Sequence, residues 1–182
     1  MPMINSLADH LDDIRAWRHD IHAHPELQYD VHRTAALVAE KLEAFGLDEV
    51  VTGIGRTGVV GVIRGQGQNS GKTIGLRSDM DALPIQEIRD LPHKSQTDGK
   101  MHACGHDGHT AMLLGAARHL AENRDFDGTV VVIFQPAEEG GAGGLSMVQE
   151  GLLDEAPKIE RAFALHVWPS LPTGVVASRP GT

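Results

Sequence analysis

Apolar residues in the first quarter of the chain recur at three- and four-residue steps, which is the spacing of one helix face. The apolar face of the first predicted helix is formed by Leu7, Leu11, Ile14, Trp17 and Ile21. This helix should end at residues 22–24, because Pro25 cannot continue a helix and disfavours helical geometry in the residue before it. A second helix is predicted over residues 32–44, with Gly46 as its stop.

After residue 58 the pattern changes to short apolar runs that predict strands. Residues 59–63 and 73–77 flank a polar, glycine-rich connection at residues 65–71, and this arrangement predicts an antiparallel hairpin. The glycines of the connection precede no helix and no Gly-Lys-Ser/Thr sequence, so a phosphate-binding loop is not indicated.

The second half of the chain contains further helical and strand patterns. The run at residues 129–134 is apolar throughout, which is typical of a central strand covered on both faces. Residues 161–168 and 174–178 predict two more strands, and residues 106–120 and about 144–150 predict helices. Helices and strands of these lengths indicate an α/β fold.

Polar side chains stand where three of the predicted strands end. Asp79 and Asp81 follow the second strand, Glu138 and Glu139 follow the central strand, and His166 lies near the end of the next one. Taken singly, the aspartates could be turn formers and the histidine a core residue. Adjacent glutamates after a buried strand are costly without a charge partner, and a cation supplies one. Because open α/β sheets gather ligands at the carboxyl ends of their strands, the repetition predicts one shared site on a three-layer α/β/α sandwich with a mixed, mainly parallel sheet.

Residues 101–110 hold the densest group of candidate ligands: three histidines, an aspartate and the only cysteine of the chain. Cys104 and His106 can reach one ion only if the backbone between them is irregular, which Gly105 permits. Thiolate and imidazole are ligands that borderline-soft divalent ions prefer. Considered alone, Cys104 could equally be a buried structural cysteine. The carboxylates and the histidine at the strand ends favour a metal site.

A second histidine group, His19, His22 and His24, lies at the end of the first predicted helix. It includes no cysteine, and histidines at helix carboxyl ends commonly complement the helix dipole. We therefore interpret this group as surface histidines that bind no metal.

Composition narrows the classes of protein further. The 182 residues suit one domain with a sizeable core. The net charge is −9, and no basic stripe interleaved with aromatic residues is present, so nucleic acid is not an expected partner.

One cysteine cannot form an internal disulfide, which fits a reducing compartment. Residues 1–6 lack a signal sequence and no apolar run is long enough to span a membrane, so we expect a cytoplasmic protein without a membrane partner.

Five segments, in order, closely resemble the M20 metallopeptidase family. They are Arg-His-Asp-Ile-His-Ala-His-Pro-Glu-Leu at 18–27, Leu-Arg-Ser-Asp-Met-Asp-Ala-Leu-Pro at 76–84, His-Ala-Cys-Gly-His-Asp-Gly-His at 102–109, Phe-Gln-Pro-Ala-Glu-Glu-Gly-Gly at 134–141 and Leu-His-Val-Trp-Pro at 165–169. The match is to the aminoacylase-like amidohydrolase branch, which includes hippurate hydrolases, auxin-conjugate hydrolases and related N-acyl-amino-acid deacylases.

The resemblance implies roles for individual residues. The implied metal ligands are Cys104, as a bridge, His106, Glu139 and His166. The implied catalytic residues are Glu138, the general base, and Asp81, which orients a ligand from behind. Two divalent ions are implied, of which Zn, Mn, Ni and Co all fit. Asp79 occupies the place of a metal-binding histidine of the peptidase branch, so its role stays open, as do those of His102 and His109.

The resemblance also implies a function: hydrolysis of the amide bond of small-molecule N-acyl amino acids. The alternatives are a dipeptidase or exopeptidase of the same family, or a non-catalytic domain with a structural ion. Family members continue with a lid and dimerisation domain and a last ligating histidine. Residues 1–178 are therefore expected to be the N-terminal part of the catalytic domain, and 179–182 the start of the connection to the absent lid. This predicts a chain that is inactive by itself and forms homo-oligomers.

Overall fold

In a computed structural model, which describes residues 5–68, 70–154, 157–179 and 181, five strands form one sheet. The strands are β1 (Glu49–Ile54), β2 (Gly58–Arg64), β3 (Thr73–Asp79), β4 (Thr129–Gln135) and β5 (Arg161–Ala164). Their order across the sheet is β1-β2-β4-β3-β5. Pairs β1–β2 and β2–β4 are antiparallel, whereas β4–β3 and β3–β5 are parallel. The predicted mixed sheet is confirmed, although parallel pairs do not outnumber antiparallel ones.

The helices of the described part of the chain are α1 (Asn5–Ala8), α2 (Leu11–Ala23), α3 (His32–Ala44), α4 (His106–Glu122) and α5 (Gly143–Gln149). The predicted bounds of α3 and the predicted end of α2 are confirmed. The first predicted helix is interrupted, because a turn closed by the His10 N–H and the Leu7 carbonyl separates α1 from α2. The His10 side chain instead contacts Glu122 at the end of α4.

The sheet is covered by helices on both faces, which confirms the three-layer α/β/α architecture. Alternate residues of β4 face opposite layers, as the two-residue period of a strand requires. Val132 and Phe134 pack into the larger core with α3 and α4, whereas Val131 and Ile133 pack against Met147 of α5. The continuous apolar sequence of β4 follows from this double burial.

The predicted hairpin between β2 and β3 is wrong, because β4 lies between these two strands. Arg64 at the end of β2 and Thr73 at the start of β3 both pair with Thr129. The glycine-rich connection passes over the start of β4, where the Gly65 N–H donates to the carbonyl of Gly128. The physical reason is burial: the strand that is apolar on both faces takes the central position, which separates the two strands that are adjacent in sequence.

The edges of the sheet differ most from the sequence prediction. The edge strand β1 was not predicted, because most of its residues are exposed and Gly53 interrupts its pattern at a register shift. The strand predicted at 161–168 ends at Ala164, and residues 174–178 form no strand. Residues 161–179 are exposed. In the part of the chain that the structure describes, the apolar residues at 174–178 therefore have no buried strand with which to pair.

Candidate metal centre

The three parallel strands deliver their carboxyl ends to one edge of the sheet, where α4 also begins. Gly105, the residue before α4, has a φ of 93°, which non-glycine residues rarely adopt. A Cβ at this position would lie 2.4 Å from Cγ2 of Val167. Glycine therefore allows both the sharp turn between Cys104 and His106 and the close approach of the segment that follows β5.

All four predicted ligands and the predicted base come together at this edge. Ligand atoms of Cys104, His106 and His166 lie within 4.8 Å of one another, and so do those of His106, Glu138 and Glu139. The Sγ of Cys104 is 3.4 Å from Nε2 of His166. The two groups share His106, so they form one continuous cluster that we call the metal centre.

The side chains of the metal centre fit a divalent cation. His106 is fully buried, yet neither ring nitrogen has a hydrogen-bond partner among the described residues, and the same holds for Oε1 of Glu139. Nε2 of His106 lies 3.8 Å from Oε1 of Glu139 and 3.8 Å from Oε2 of Glu138. Unpaired buried polar atoms cost about 1–3 kcal/mol each. A cation coordinated by this nitrogen, thiol and carboxylate set removes that cost.

Asp81 holds the backbone that carries the two glutamates. Its Oδ1 and Oδ2 accept the peptide N–H groups of Glu138 and Glu139, each at 3.0 Å. Oδ1 also lies 3.5 Å from Nδ1 of His106. The other ring nitrogen of His106, Nε2, faces the side chains of Glu138 and Glu139. Ala137, directly before Glu138, has a φ of 50°, so the chain turns sharply after β4 to reach Asp81.

Replacing Asp81 by Asn should destabilise the fold. An amide offers one acceptor oxygen, so one of the two peptide N–H groups would face an NH₂ donor. We expect the free energy of unfolding to fall by about 1–3 kcal/mol, measured by urea denaturation. The exposed Asp98→Asn is the matched control and should change it by less than about 0.5 kcal/mol. Equal stability of the two variants would mean that the two hydrogen bonds contribute nothing.

The electrostatics of the metal centre favour the protonated forms of Cys104 and His106 when no cation is bound. Burial, reinforced by the neighbouring carboxylates of Glu139 and Glu138, raises the pKa of the Cys104 thiol to about 12. Although burial opposes it, the carboxylates of Asp81 and Asp79 raise the pKa of His106. A cation must displace these protons, so metal binding at this centre is coupled to proton release.

A second cluster, which we call the His22 network, surrounds the buried His22 and adjoins the metal centre, because Asp107 follows His106 in α4. Nδ1 of His22 is 2.9 Å from Asp107 and Nε2 is 3.2 Å from Glu87, while Arg18 also pairs with Asp107. His102 is buried nearby, and burial lowers the pKa of His102 to about 4. The prediction of a solvent-exposed helix-end histidine is wrong for His22, because two distant carboxylates enclose it.

The His22 network should make stability depend on pH. The hydrogen bond to Asp107, with Glu87 in addition, raises the pKa of His22 above 6.5 despite burial. Stabilisation by a raised pKa is fully present below the unfolded value and is lost as pH rises through the folded one. The free-energy difference between the metal-free protein and His22→Gln should therefore be largest near pH 6 and shrink towards pH 9, measured by urea denaturation. A constant difference would contradict the charged pairing.

The sequence did not indicate a role for Glu87, and it indicated Asp107 only as one of the candidate metal ligands at residues 101–110. Glu87 lies in the irregular segment at 85–100, where its Oε2 also accepts the Ser95 N–H at 2.7 Å. The length of that segment was the one signal available, because long loops in compact domains tend to have a role.

No helix in the described ranges has both the length and the apolar character needed to cross a bilayer.

Comparisons with known proteins show which family of proteins this chain resembles. The model of peptidase family M20/M25/M40 matches residues 75–181, more than half of the chain. The hippurate hydrolase of Campylobacter jejuni is 48% identical over 169 residues, which cover 93% of this chain and 43% of that protein. Thermostable carboxypeptidase 1 of Saccharolobus solfataricus is 46% identical over 189 residues, which cover 100% of this chain and 47% of that protein.

A solved structure shows the same architecture. The YXEP protein of Bacillus subtilis, called a dinuclear metal binding peptidase from the M20 family, superposes with a TM-score of 0.83 at 38% identity. The match covers 93% of this chain and 45% of that one. The chain thus spans under half the length of each of these relatives. Motifs, sheet and similarity lead to the same conclusion, which is that the chain belongs to peptidase family M20/M25/M40.

Proposed function

We propose that the protein is a metal-dependent amidohydrolase that cleaves the amide bond of N-acyl amino acids. The observation that carries the proposal is the arrangement of a carboxylate, Glu138, beside a cluster of thiol, imidazole and carboxylate ligands around the buried His106. The similarity to a hippurate hydrolase supports an N-acyl amino acid as the substrate class. The similarity to a dinuclear peptidase supports two ions rather than one.

Cys104, His106, Glu139 and His166 would hold the two ions, with Cys104 as the bridge. Zn, Mn, Ni and Co all suit this ligand set. When bound, divalent ions polarise an amide carbonyl and lower the pKa of water. The protein would act in a reducing compartment such as the cytoplasm, because oxidation of the Cys104 thiol would remove a ligand.

Glu138 is the residue placed to move the proton. Its side chain is 42% exposed, against 23% for Glu139, so Glu138 remains accessible to water and substrate. A carboxylate in this position can accept the proton of the attacking water and deliver it to the amide nitrogen as the C–N bond breaks. Glu139, whose Oε1 is buried and lacks a hydrogen-bond partner among the described residues, suits a ligand instead.

A peptidase function is the second candidate, because a thermostable carboxypeptidase is almost as similar to the chain as the hippurate hydrolase is. The two functions share the metal centre and differ in the group on the acyl side of the cleaved bond. The geometry of the ligands alone therefore favours neither substrate.

Substrate competition separates the two candidates. The whole protein, stripped by a chelator and reloaded with Zn, Mn, Co or Ni, should hydrolyse N-benzoylglycine with a kcat/KM at least about tenfold above that for a free dipeptide. The product amino acid can be quantified by chromatography. A preference for the dipeptide or for a peptide carboxyl terminus would establish the peptidase function and overturn this proposal.

The 182-residue chain by itself should turn over far more slowly than the whole protein of a relative. Residues 161–179, which include His166, are exposed, so one side of the metal centre is open to water. Large apolar side chains share this exposed surface: Phe163, Leu165, Trp168 and Val176. Contiguous apolar surface promotes association, so the chain should elute as an oligomer in gel filtration. A monomer with full turnover would contradict both expectations.

A further inference from the structure

We propose that Asp79 and His109 are positioning residues of the metal centre, and that neither is a metal ligand. Both belong to a row of hydrogen bonds, which we call the Asp79 relay, that ends on the peptide N–H of Val167 and thereby fixes His166 beside Cys104. The inference rests on the proposed metal centre, because it assigns to two further residues the task of holding one of its ligands.

The Asp79 relay crosses every element that delivers the metal centre. It begins at the end of β4, where Oε1 of Gln135 accepts the Arg77 Nε–H at 3.0 Å. Arg77 also pairs with Oδ2 of Asp79 at 2.8 Å. Oδ1 of Asp79 lies 2.6 Å from Nδ1 of His109 in α4, and Nε2 of His109 lies 2.9 Å from the Val167 nitrogen. Asp79 and His109 are 1% and 2% exposed, so water does not compete for the bond between them.

The chemistry of the end groups sets the direction of every bond. An arginine side chain and a peptide N–H can only donate. Nε2 of His109 must therefore accept from Val167, which leaves the ring proton on Nδ1, where it is donated to Asp79. Asp79 accepts on both oxygens, from Arg77 on Oδ2 and from His109 on Oδ1.

This direction explains why proximity does not make His109 a ligand. Asp79, His106 and His109 also have ligand atoms within 4.8 Å of one another. However, the lone pair of His109 Nε2 is engaged by Val167, and both oxygens of Asp79 are engaged by Arg77 and His109. The atoms of Asp79 and His109 that could bind a metal are thus occupied by hydrogen bonds within the protein, whereas the ring nitrogens of His106 have no hydrogen-bond partner among the described residues.

The residue that the relay holds is adjacent to His166. After Ala164, the last residue of β5, the chain is exposed. The His109–Val167 hydrogen bond and the Cys104–His166 contact hold it against the start of α4. The Val167 side chain lies against Gly105, and the rings of His109 and His166 have centroids 4.5 Å apart. Loss of the Val167 bond would release the backbone on which His166 is placed.

Asp79→Asn tests the direction of the relay while keeping its shape. The Asn oxygen would be taken by the donors of Arg77, so its NH₂ group would face Nδ1 of His109. The ring proton would then move to Nε2, where it opposes the Val167 N–H. We expect nitrogen NMR of the metal-free chain to show His109 with its proton on Nδ1 in the wild type and on Nε2 in Asp79→Asn. An unchanged tautomer would overturn the relay.

The effect of the relay on metal affinity is measured by titration with Co²⁺, in which the absorption of the ligated ion reports binding. Outer hydrogen-bond partners of metal ligands typically contribute 10- to 100-fold in affinity. We therefore expect Asp79→Asn to bind Co²⁺ about 10- to 100-fold more weakly, and the exposed Asp98→Asn to bind like the wild type. Wild-type affinity in Asp79→Asn with a switched tautomer would show that the relay does not position His166.

Two substitutions of His109 distinguish loss of the Val167 hydrogen bond from a general loss of structure. Gln places an acceptor near the position of Nε2 and can keep the Val167 bond, whereas Asn reaches only the position of Nδ1 and loses it. Co²⁺ affinity should fall less in His109→Gln than in His109→Asn, with urea denaturation confirming that both are folded. Equal losses would overturn the inference. A wild-type chain that binds no Co²⁺, yet shows the predicted tautomer, would instead refute the metal centre and with it the proposed function.

Discussion

Glu138→Gln is expected to remove nearly all hydrolytic activity while leaving the metal in place. The amide has the shape of the carboxylate and leaves the backbone N–H of residue 138 bonded to Asp81, but it cannot accept the proton of the attacking water. Positioned general acid–base groups contribute about 10²- to 10⁴-fold in rate, so kcat should fall by that factor in the whole protein. Metal content, measured by elemental analysis of the same samples, should stay at the wild-type value.

The adjacent glutamate supplies the contrast that makes this result specific. Glu139→Gln should lose metal as well as activity, because its buried Oε1 faces His106 Nε2 and is assigned to an ion. Glu43→Gln, on the exposed face of α3, removes the same charge far from the metal centre and should change neither quantity. Metal loss in Glu138→Gln together with metal retention in Glu139→Gln would mean that base and ligand have been exchanged.

Cys104→Ala is expected to have the largest effect on metal affinity. The thiol is proposed to bridge both ions, so its removal takes one ligand from each. Because changes in the partners of ligands alone cost 10- to 100-fold, loss of the bridge should weaken binding by more than about 100-fold, measured by equilibrium dialysis with elemental analysis.

Proton release gives an independent check on the role of Cys104. The pKa of the thiol is raised to about 12 by burial and by nearby carboxylates, so the metal-free protein holds that proton at neutral pH. Calorimetric titration in buffers of different ionisation enthalpy should show fewer protons released by Cys104→Ala than by the wild type. Equal affinity and equal proton release in the two proteins would make Cys104 a structural cysteine.

Much of the local structure could be predicted, because local periodicity carries it. The apolar stripe of α3 and its stop at Gly46 set the bounds of that helix, and the unbroken apolar run of β4 indicated its central place. The order of the strands could not be predicted. It depends on β4 lying between β2 and β3, which pairs residues 56 to 75 positions apart, and no local pattern indicates such a pairing.

The metal centre shows the same division. Its members could be proposed because each follows a strand or begins a helix, and because the five motifs resemble those of a known family. The supporting contacts were not predictable. His22 meets Asp107 at a separation of 85 residues, and Val167 meets His109 at 58. Spacing along the sequence indicates which residues share an element, but packing decides which side chains meet.

The most direct test of the central claim is anomalous diffraction from crystals of the metal-loaded protein, recorded on both sides of the absorption edge of the metal. Two peaks roughly 3.5–4 Å apart are expected, with Cys104 Sγ between them and with His106, Glu139 and His166 as further ligands. Glu138 should lie beside the pair without coordinating either ion. A peak within the His22 network, or any peak coordinated by Glu138 and not by Cys104, would contradict the account.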